Sequence, residues 1–198
     1  MLLLIFLMLA RSGVVAQSSS KTEWQQQRLF TSLDEALKTP TEVYRLKLKI
    51  KADSLPEEVF QLTNLQQLIV SRSRLCMLNH RIGELTHLQY LDVSANQLVR
   101  LPDELCNLVE LKELIINRNH IEALPENIGN LLALTYIDAW DNPLYELPPS
   151  IADLRYTLLE LDLRQVELRD EELEAMERLL PATRIQYTST CDCHSNRK

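Results

Sequence analysis

The feature that most constrains this chain is a fixed period marked by the dipeptide Leu-Pro. Four copies of the dipeptide begin at Leu55, Leu101, Leu124 and Leu147, so that successive starts differ by 46, 23 and 23; a further copy, at Leu180, lies outside this series. One slot of the series is skipped, and Asn79 stands there in place of proline. A fixed period of this length indicates a solenoid, in which each unit buries its apolar surface against its neighbours.

A second pattern, L-x-x-L-x-L-x-x-N, precedes the proline slots. It is complete at 88–96 and 111–119, conservatively altered at 134–142, and weaker at 43–51, 65–73, 158–166 and, in part, 182–187. Its alternating apolar residues predict a short strand in each unit with a buried inner face. Stacked units would therefore form a parallel sheet, and the apolar residues after each proline slot would line the return path.

Three asparagines, Asn96, Asn119 and Asn142, end successive copies of this pattern, each one full period after the last. They fall where the chain leaves each strand and turns. A short amide there can satisfy backbone groups that would otherwise be buried without a hydrogen bond. We therefore interpret this asparagine ladder as structural rather than catalytic.

Residues 43–187 resemble the 23-residue type of leucine-rich repeat protein, whose signature is L-x-x-L-x-L-x-x-N-x-L-x-x-L-P. The resemblance implies an α/β solenoid with a concave parallel sheet, about six repeats, and a helical cap at each end. Near the C-terminus, E-E-L-E-x-x-x-x-L-L-P followed by I-x-Y is similar to the terminal cap of bacterial exported members. The predicted organisation is a signal peptide (1–16), an N-terminal segment with a capping helix (17–42), repeats (43–168), a C-terminal cap (169–188) and a polar tail containing cysteine (189–198).

Both caps are predicted from local signals. Ser32 and Glu35 form a capping-box pattern, the leucines at 29, 33 and 37 recur at helical spacing, and Pro40 would end that helix. Downstream, residues 169–181 place Leu173, Met176 and Leu180 on one helical face, and a final strand follows.

The first residues predict export. The apolar run from Leu2 to Ala10 is too short to span a bilayer, and small residues precede a cleavage point after Ala16. A secreted or periplasmic location follows, with no stable membrane insertion. No Lys or Arg precedes the run and Arg11 follows it, which argues against export unless a misassigned start codon has removed a basic segment; a cytoplasmic protein is the alternative.

Composition and motifs argue against most chemistry. The net charge of −7 disfavours a nucleic-acid partner, and only three glycines are present, which leaves no phosphate-binding loop. No cofactor is predicted. Cys106 occupies a slot that holds glycine in both neighbouring repeats, and Cys76 lies in another slot. Weak metal candidates are Cys191, Cys193 and His194, for which a disordered or disulfide-bonded tail is the simpler interpretation.

The side chains between the buried leucines should point outward in rows across the repeats. Aromatic residues and Arg are typical of protein interfaces, although Tyr and Ile also simply favour strands. The predicted ligand-binding residues on this face are Tyr90, Asp92, Glu113, Ile115, Tyr136, Asp138, Trp140, Asp141, Asp162 and Arg164. Trp140 is the expected anchor, with Asp138 and Asp141 selecting a basic group beside it.

The sequence thus predicts a non-enzymatic module that binds a protein or peptide partner on its concave sheet, with a glycan as another partner class. Two alternatives remain open. One is an intracellular scaffold for signalling proteins such as small GTPases or kinases. The other is a thiol or metal function in the C-terminal tail.

Overall fold

The computed structural model describes residues 23–166 and 169–188. These residues form one sheet of eight parallel strands whose spatial order follows the order along the chain. The predicted parallel solenoid is therefore confirmed. The strands are β1 Leu29–Phe30, β2 Arg45–Lys47, β3 Gln67–Ile69, β4 Tyr90–Asp92, β5 Glu113–Ile115, β6 Tyr136–Asp138, β7 Glu160–Leu163 and β8 Arg184–Tyr187.

In β4, β5 and β6 the middle residue is buried in the core and the residues on either side of it point outward. Leu91 and Leu114 are fully buried and adjacent in the β4–β5 register, so that the same inward position repeats from strand to strand. Behind the sheet the return path consists mainly of 3-10 turns at Glu57–Gln61, His80–Glu84, Asp103–Asn107, Ile128–Asn130 and Pro149–Leu154. Their buried residues, such as Ile82 and Leu105, complete one continuous core.

The proline slot sets the start of these turns. Pro102 lies before its turn with φ −71°, a value its ring favours, and it lacks an N–H group that would need a partner there. Where proline is missing, Asn79 replaces it with a side-chain bond, accepting from the backbone N–H of Arg81 at 2.9 Å. The turn after Asn79 therefore starts in the same way as the others, but a side-chain hydrogen bond takes the place of the proline ring.

The N-terminal cap contains less helix than the leucine spacing predicts. α1 is limited to Leu33–Ala36, with Ser32 accepting from the backbone N–H of Glu35 at 3.4 Å. Leu29 belongs to β1, which pairs with β2 and was not expected; its helical assignment is wrong. The neighbouring Phe30 is buried, so this added strand covers the open end of the core.

The C-terminal cap is close to the predicted one. α2 spans Asp170–Leu179, with Met176 and, just beyond the helix, Leu180 buried against the core. The chain then adds β8 beside β7. Across 23–166 and 169–188, no helix combines the length and apolar character needed to cross a membrane. The proposed signal peptide lies outside the described residues.

Candidate functional site

The outward side chains of the sheet form rows that cross the repeats; we call this side of β2–β8 the concave face. The register aligns Tyr90, Glu113 and Tyr136 in one row, and places Ile115 beside Asp138 in the next. Neighbouring strands lie about 4.8 Å apart, so side chains within a row pack against one another. The predicted rows are those that the structure contains.

The first of these rows is partly removed from water at its centre. Tyr90, Glu113 and Tyr136 are each half-buried although they point away from the core. Burial, reinforced by the charges of Asp92, Glu113 and Asp138, raises the pKa of Tyr90 to about 12. Burial also raises the pKa of the Glu113 carboxyl above its ordinary value. A carboxylate flanked by two tyrosines is thus poorly hydrated in the free protein.

The aspartates of the second row share a local bond. Asp92, Asp138 and Asp162 each accept a hydrogen bond from the backbone N–H two residues onward, at 2.9, 3.3 and 3.1 Å. These bonds fix the carboxylates at the C-terminal ends of their strands. Asp138 also accepts from Nδ2 of Asn117 at 2.5 Å. Burial nevertheless raises the pKa of Asp138, with the Asn117 bond acting in the opposite direction.

Asp162, which the sequence places among the ligand-binding residues, is buried and paired with Arg164. Only 2% of the residue is exposed. Nε and Nη2 of Arg164 donate to its carboxylate at 2.9 and 2.6 Å, making a two-pronged ion pair. Because such paired geometry is a strong form of the interaction, Asp162 orients Arg164 and leaves the exposed guanidinium as the group that a partner would meet.

Trp140 is half-buried, and one face of its ring is already occupied. The guanidinium carbon of Arg118 lies 4.3 Å from the centroid of the Trp140 ring, a cation–π contact within the chain. Asp141 is exposed and has φ 57°, in the left-handed region. It borders a cleft that also includes Arg118 and His120. A basic group from a partner was expected beside Trp140. Arg118 of this protein already occupies part of that position.

The basic end of the concave face is less open than its sequence indicates. Nη1 of Arg45 donates to the backbone carbonyls of Gln25 and Gln27 at 2.8 and 3.0 Å, and its Nε donates to the side-chain carbonyl of Gln67 at 2.8 Å. Arg45 consequently ties the N-terminal segment to β2. Lys47 and Lys49 remain exposed.

The asparagine ladder joins successive repeats. Oδ1 of Asn119 accepts from the N–H of Leu98 at 3.1 Å, in the preceding repeat. Its Nδ2 lies within bonding distance of carbonyls in both repeats, namely those of Val93, Ile116 and Asn117. Asn96 and Asn142 are buried and repeat this arrangement. The ladder is almost completely buried and belongs to the frame rather than to a site.

The cysteines do not form a site in the part of the chain described. Cys106 is buried and Cys76 is exposed, and both are free thiols. Burial, together with the charge of Asp103, raises the pKa of Cys106 to about 11. Within 23–166 and 169–188, no cluster of His, Cys, Asp and Glu is arranged to hold a metal ion. Cys191, Cys193 and His194 lie outside the described residues.

Sequence reasoning missed two contributors to this surface, Arg118 and Trp24. Arg118 occupies the slot one repeat before Asp141, in a series of non-glycine residues with positive φ, so its position could have been found from the period. Trp24 is not part of any repeat. Its indole N–H donates to Oε1 of Gln89 at 3.0 Å, a contact between distant parts of the sequence that no periodic signal indicates.

Comparison with known proteins gives the same fold. A family model described as leucine rich repeat matches residues 63–121, and no curated protein matches the chain. A leucine-rich repeat protein of Leptospira interrogans has a TM-score of 0.65 and 28% identity, over 81% of this chain and 46% of that chain. This chain therefore spans less than half of that relative.

Two further solved structures share the fold at lower identity. Internalin C2 of Listeria monocytogenes has a TM-score of 0.67 and 22% identity, over 81% of this chain and 67% of that chain. The leucine-rich repeat ectodomain of the Arabidopsis thaliana receptor kinase GASSHO1/SCHENGEN3, described in complex with CASPARIAN STRIP INTEGRITY FACTOR 2, has a TM-score of 0.57 and 24% identity, over 75% of this chain and 18% of that one.

Proposed function

Because the chain is a leucine-rich repeat solenoid similar to bacterial proteins of that type, we propose that it is a non-enzymatic module that binds a protein or peptide on its concave face. One observation carries the proposal. At the centre of that face, Tyr90, Glu113 and Tyr136 form a row that is half-buried without any partner present. Such a row is already partly dehydrated, so covering it costs less than covering a hydrated polar surface.

The electrostatics of the same row support a basic contact group on the partner. The carboxyls of Glu113 and Asp138 have raised pKa values because burial disfavours their charged forms. A Lys or Arg placed beside them would favour their charged forms. Tyr90, Tyr136 and Ile115 would contribute the apolar and aromatic area that dominates binding energy at protein interfaces.

The exposed Arg164 and the Arg118–Trp140 pair extend this surface towards the C-terminal ends of the strands. The proposed contact residues are those named from the sequence, except that Asp162 acts through Arg164. The proposal also places the protein outside the cytoplasm, with cleavage after Ala16. The fold that this chain shares with the plant ectodomain, which is described in complex with CASPARIAN STRIP INTEGRITY FACTOR 2, supports a protein or peptide as the partner class here.

The test is site-specific photo-crosslinking followed by affinity measurement. A benzophenone amino acid would replace Ile115 at the centre of the face in one protein, and Tyr156, which is 81% exposed, in another. We expect a discrete crosslinked partner from position 115 and none from position 156. With that partner purified, Tyr136→Ala and Asp138→Asn should each weaken binding roughly tenfold, or about 1.4 kcal/mol.

Tyr156→Ala provides the matched control, because it removes the same side chain from a surface outside the face. Its affinity should equal that of the unmodified chain. A partner crosslinked only from position 156, or unchanged affinity in both concave-face variants with unchanged melting temperatures, would exclude the concave face as the binding surface.

A further inference from the structure

A cleft of about 390 Å³ lies where the N-terminal segment crosses the starts of the first repeat strands. It is lined by Trp24, Gln27, Tyr44, Gln66 and Gln89. The last three of these residues stand immediately before β2, β3 and β4, outside the proposed concave contact rows. The volume is at the lower end of the range of roughly 300 to 1,000 Å³ that is usual for small-ligand sites.

The walls of the cleft are fixed by bonds between distant parts of the chain. The indole N–H of Trp24 donates to Oε1 of Gln89 at 3.0 Å, and Nζ of Lys112 donates to the same oxygen at 2.9 Å. From the other side, Arg45 holds the carbonyls of Gln25 and Gln27. The N-terminal segment is therefore held against the repeats by side-chain hydrogen bonds and forms one wall of the cleft.

The backbone carbonyls along the floor of the cleft have no free lone pairs for a ligand. The carbonyl of Tyr44 accepts from the N–H groups of Gln66 and Gln67, at 2.9 and 3.0 Å. The carbonyls of Gln66 and Gln89 each accept from two backbone N–H groups of the next repeat in the same way. Because a carbonyl oxygen has two lone pairs, these acceptors are saturated. A peptide could not bind here as an added strand, because these backbone carbonyls are already paired.

Free hydrogen-bonding capacity in the cleft instead comes from side chains. Within the described part of the chain, the side-chain amides of Gln27 and Gln66 and the hydroxyl of Tyr44 have no hydrogen-bond partner. An amide offers two donors and an acceptor, and a phenol offers one donor and its lone pairs. Such groups match sugar hydroxyls, which also both donate and accept.

The lining carries no ionisable acid or base apart from the phenol of Tyr44, although the neighbouring sheet face is strongly charged. A cationic ligand would lose hydration in this cleft without meeting a carboxylate, and an anionic ligand would have to compete with Oε1 of Gln89 for the ammonium of Lys112. Two aromatic rings, from Trp24 and Tyr44, supply electron-rich faces for the weakly positive C–H groups of a sugar ring. We infer that the cleft between the N-terminal segment and the starts of β2–β4 binds a neutral glycan, through these rings and the glutamine amides.

The test uses the full chain and named neutral probes: maltotetraose, cellotetraose and the tetramer of N-acetylglucosamine. In a Trp140→Phe background, Trp24 is the remaining tryptophan, so its fluorescence reports the cleft directly. We expect at least one probe to change this fluorescence saturably, with a dissociation constant on the order of 1 mM or tighter. Gln66→Ala and Gln27→Ala should each weaken that binding roughly tenfold.

Gln97→Ala is the matched control, since it deletes the same amide from an exposed position at the other ends of the strands. It should leave binding unchanged. Two results would overturn the inference: no saturable response to any of the three probes up to about 10 mM, or binding that survives both cleft variants. Gln27 is exposed, so its variant tests the idea without threatening the fold.

Discussion

The central repeats and the first repeats close the same turn with different side chains. In the centre, the amide of Asn119 reaches a backbone N–H of the preceding repeat and carbonyls of both repeats. In the first repeats, Ser73 occupies the equivalent slot; its hydroxyl accepts from the N–H of Ile50 at 3.2 Å and donates to the carbonyl of Ser71 at 3.3 Å. The longer amide therefore couples two repeats more extensively than the hydroxyl does.

The largest expected effect comes from deleting these two side chains in parallel. Asn119→Ala would leave several buried backbone groups without partners and should lower the free energy of unfolding by about 2 to 4 kcal/mol. Ser73→Ala removes fewer bonds and should cost about 1 kcal/mol. Urea unfolding of both variants, followed by circular dichroism, measures the difference. Equal losses would show that the ladder couples repeats no better at the centre than at the end.

A second contrast lies within the central repeats, in the slot shared by Gly83, Cys106 and Gly129. A Cβ atom added at Gly129 would lie 2.2 Å from the carbonyl oxygen of Ser150, and one added at Gly83 would lie 2.5 Å from that of Glu104. Cys106 carries a side chain in the same slot and is buried without disrupting the core. The next repeat thus determines whether the slot tolerates a side chain.

Gly129→Ala should lower the free energy of unfolding by about 1 to 3 kcal/mol, because a backbone carbonyl must move to admit the methyl group. Cys106→Ala only removes a sulfur atom from a position that already has a Cβ, and should cost about 1 kcal/mol or less. Thermal unfolding of the two variants side by side provides the measurement. A Gly129→Ala protein as stable as the original would mean that the spacing between the turns Ile128–Asn130 and Pro149–Leu154 adjusts freely.

The sequence predicts most where the period applies. Each strand pairs with the strand one repeat away, so spacing alone aligns Tyr90, Glu113 and Tyr136, and the structure has that register. It predicts the ends less well, because β1 and the segment around Trp24 contain no repeat. Local helical spacing at Leu29 favoured a helix, but pairing with β2 prevailed.

The repeat period also does not predict which partner an individual side chain contacts. Arg164 pairs with Asp162, and Arg118 covers Trp140, and both contacts depend on rotamers of long side chains rather than on spacing. The period fixes where a Cβ atom points. It does not fix which of several nearby partners a guanidinium reaches, and for that reason three of the predicted site residues, Trp140, Asp162 and Arg164, are engaged within the protein itself.

The smallest expected effect concerns the charge contrast along the concave face, which is basic at β2 and acidic at the centre. Glu113 has a raised pKa because it is partly buried, so its ionised form opposes folding. Below the ordinary glutamate pKa of about 4.3, both the folded and the unfolded chain carry the neutral acid. As pH rises through the window between that value and the raised one, the unfolded chain ionises first, and stability falls. Above the window the deficit is constant.

Glu113→Gln removes this deficit while keeping the size of the side chain. The variant should therefore melt at a higher temperature than the original protein at pH 7, and the difference should disappear near pH 4. Because Glu113 remains partly hydrated, the gain is modest. Differential scanning calorimetry at both pH values is the measurement, and a variant less stable at pH 7 would mean that the ionised carboxylate has a favourable partner in the free protein. A gain in stability at pH 7 combined with weaker affinity for a basic partner would instead show that Glu113 lowers stability and strengthens binding. The first repeats differ in this respect, because Arg45 uses its charge to hold the N-terminal segment.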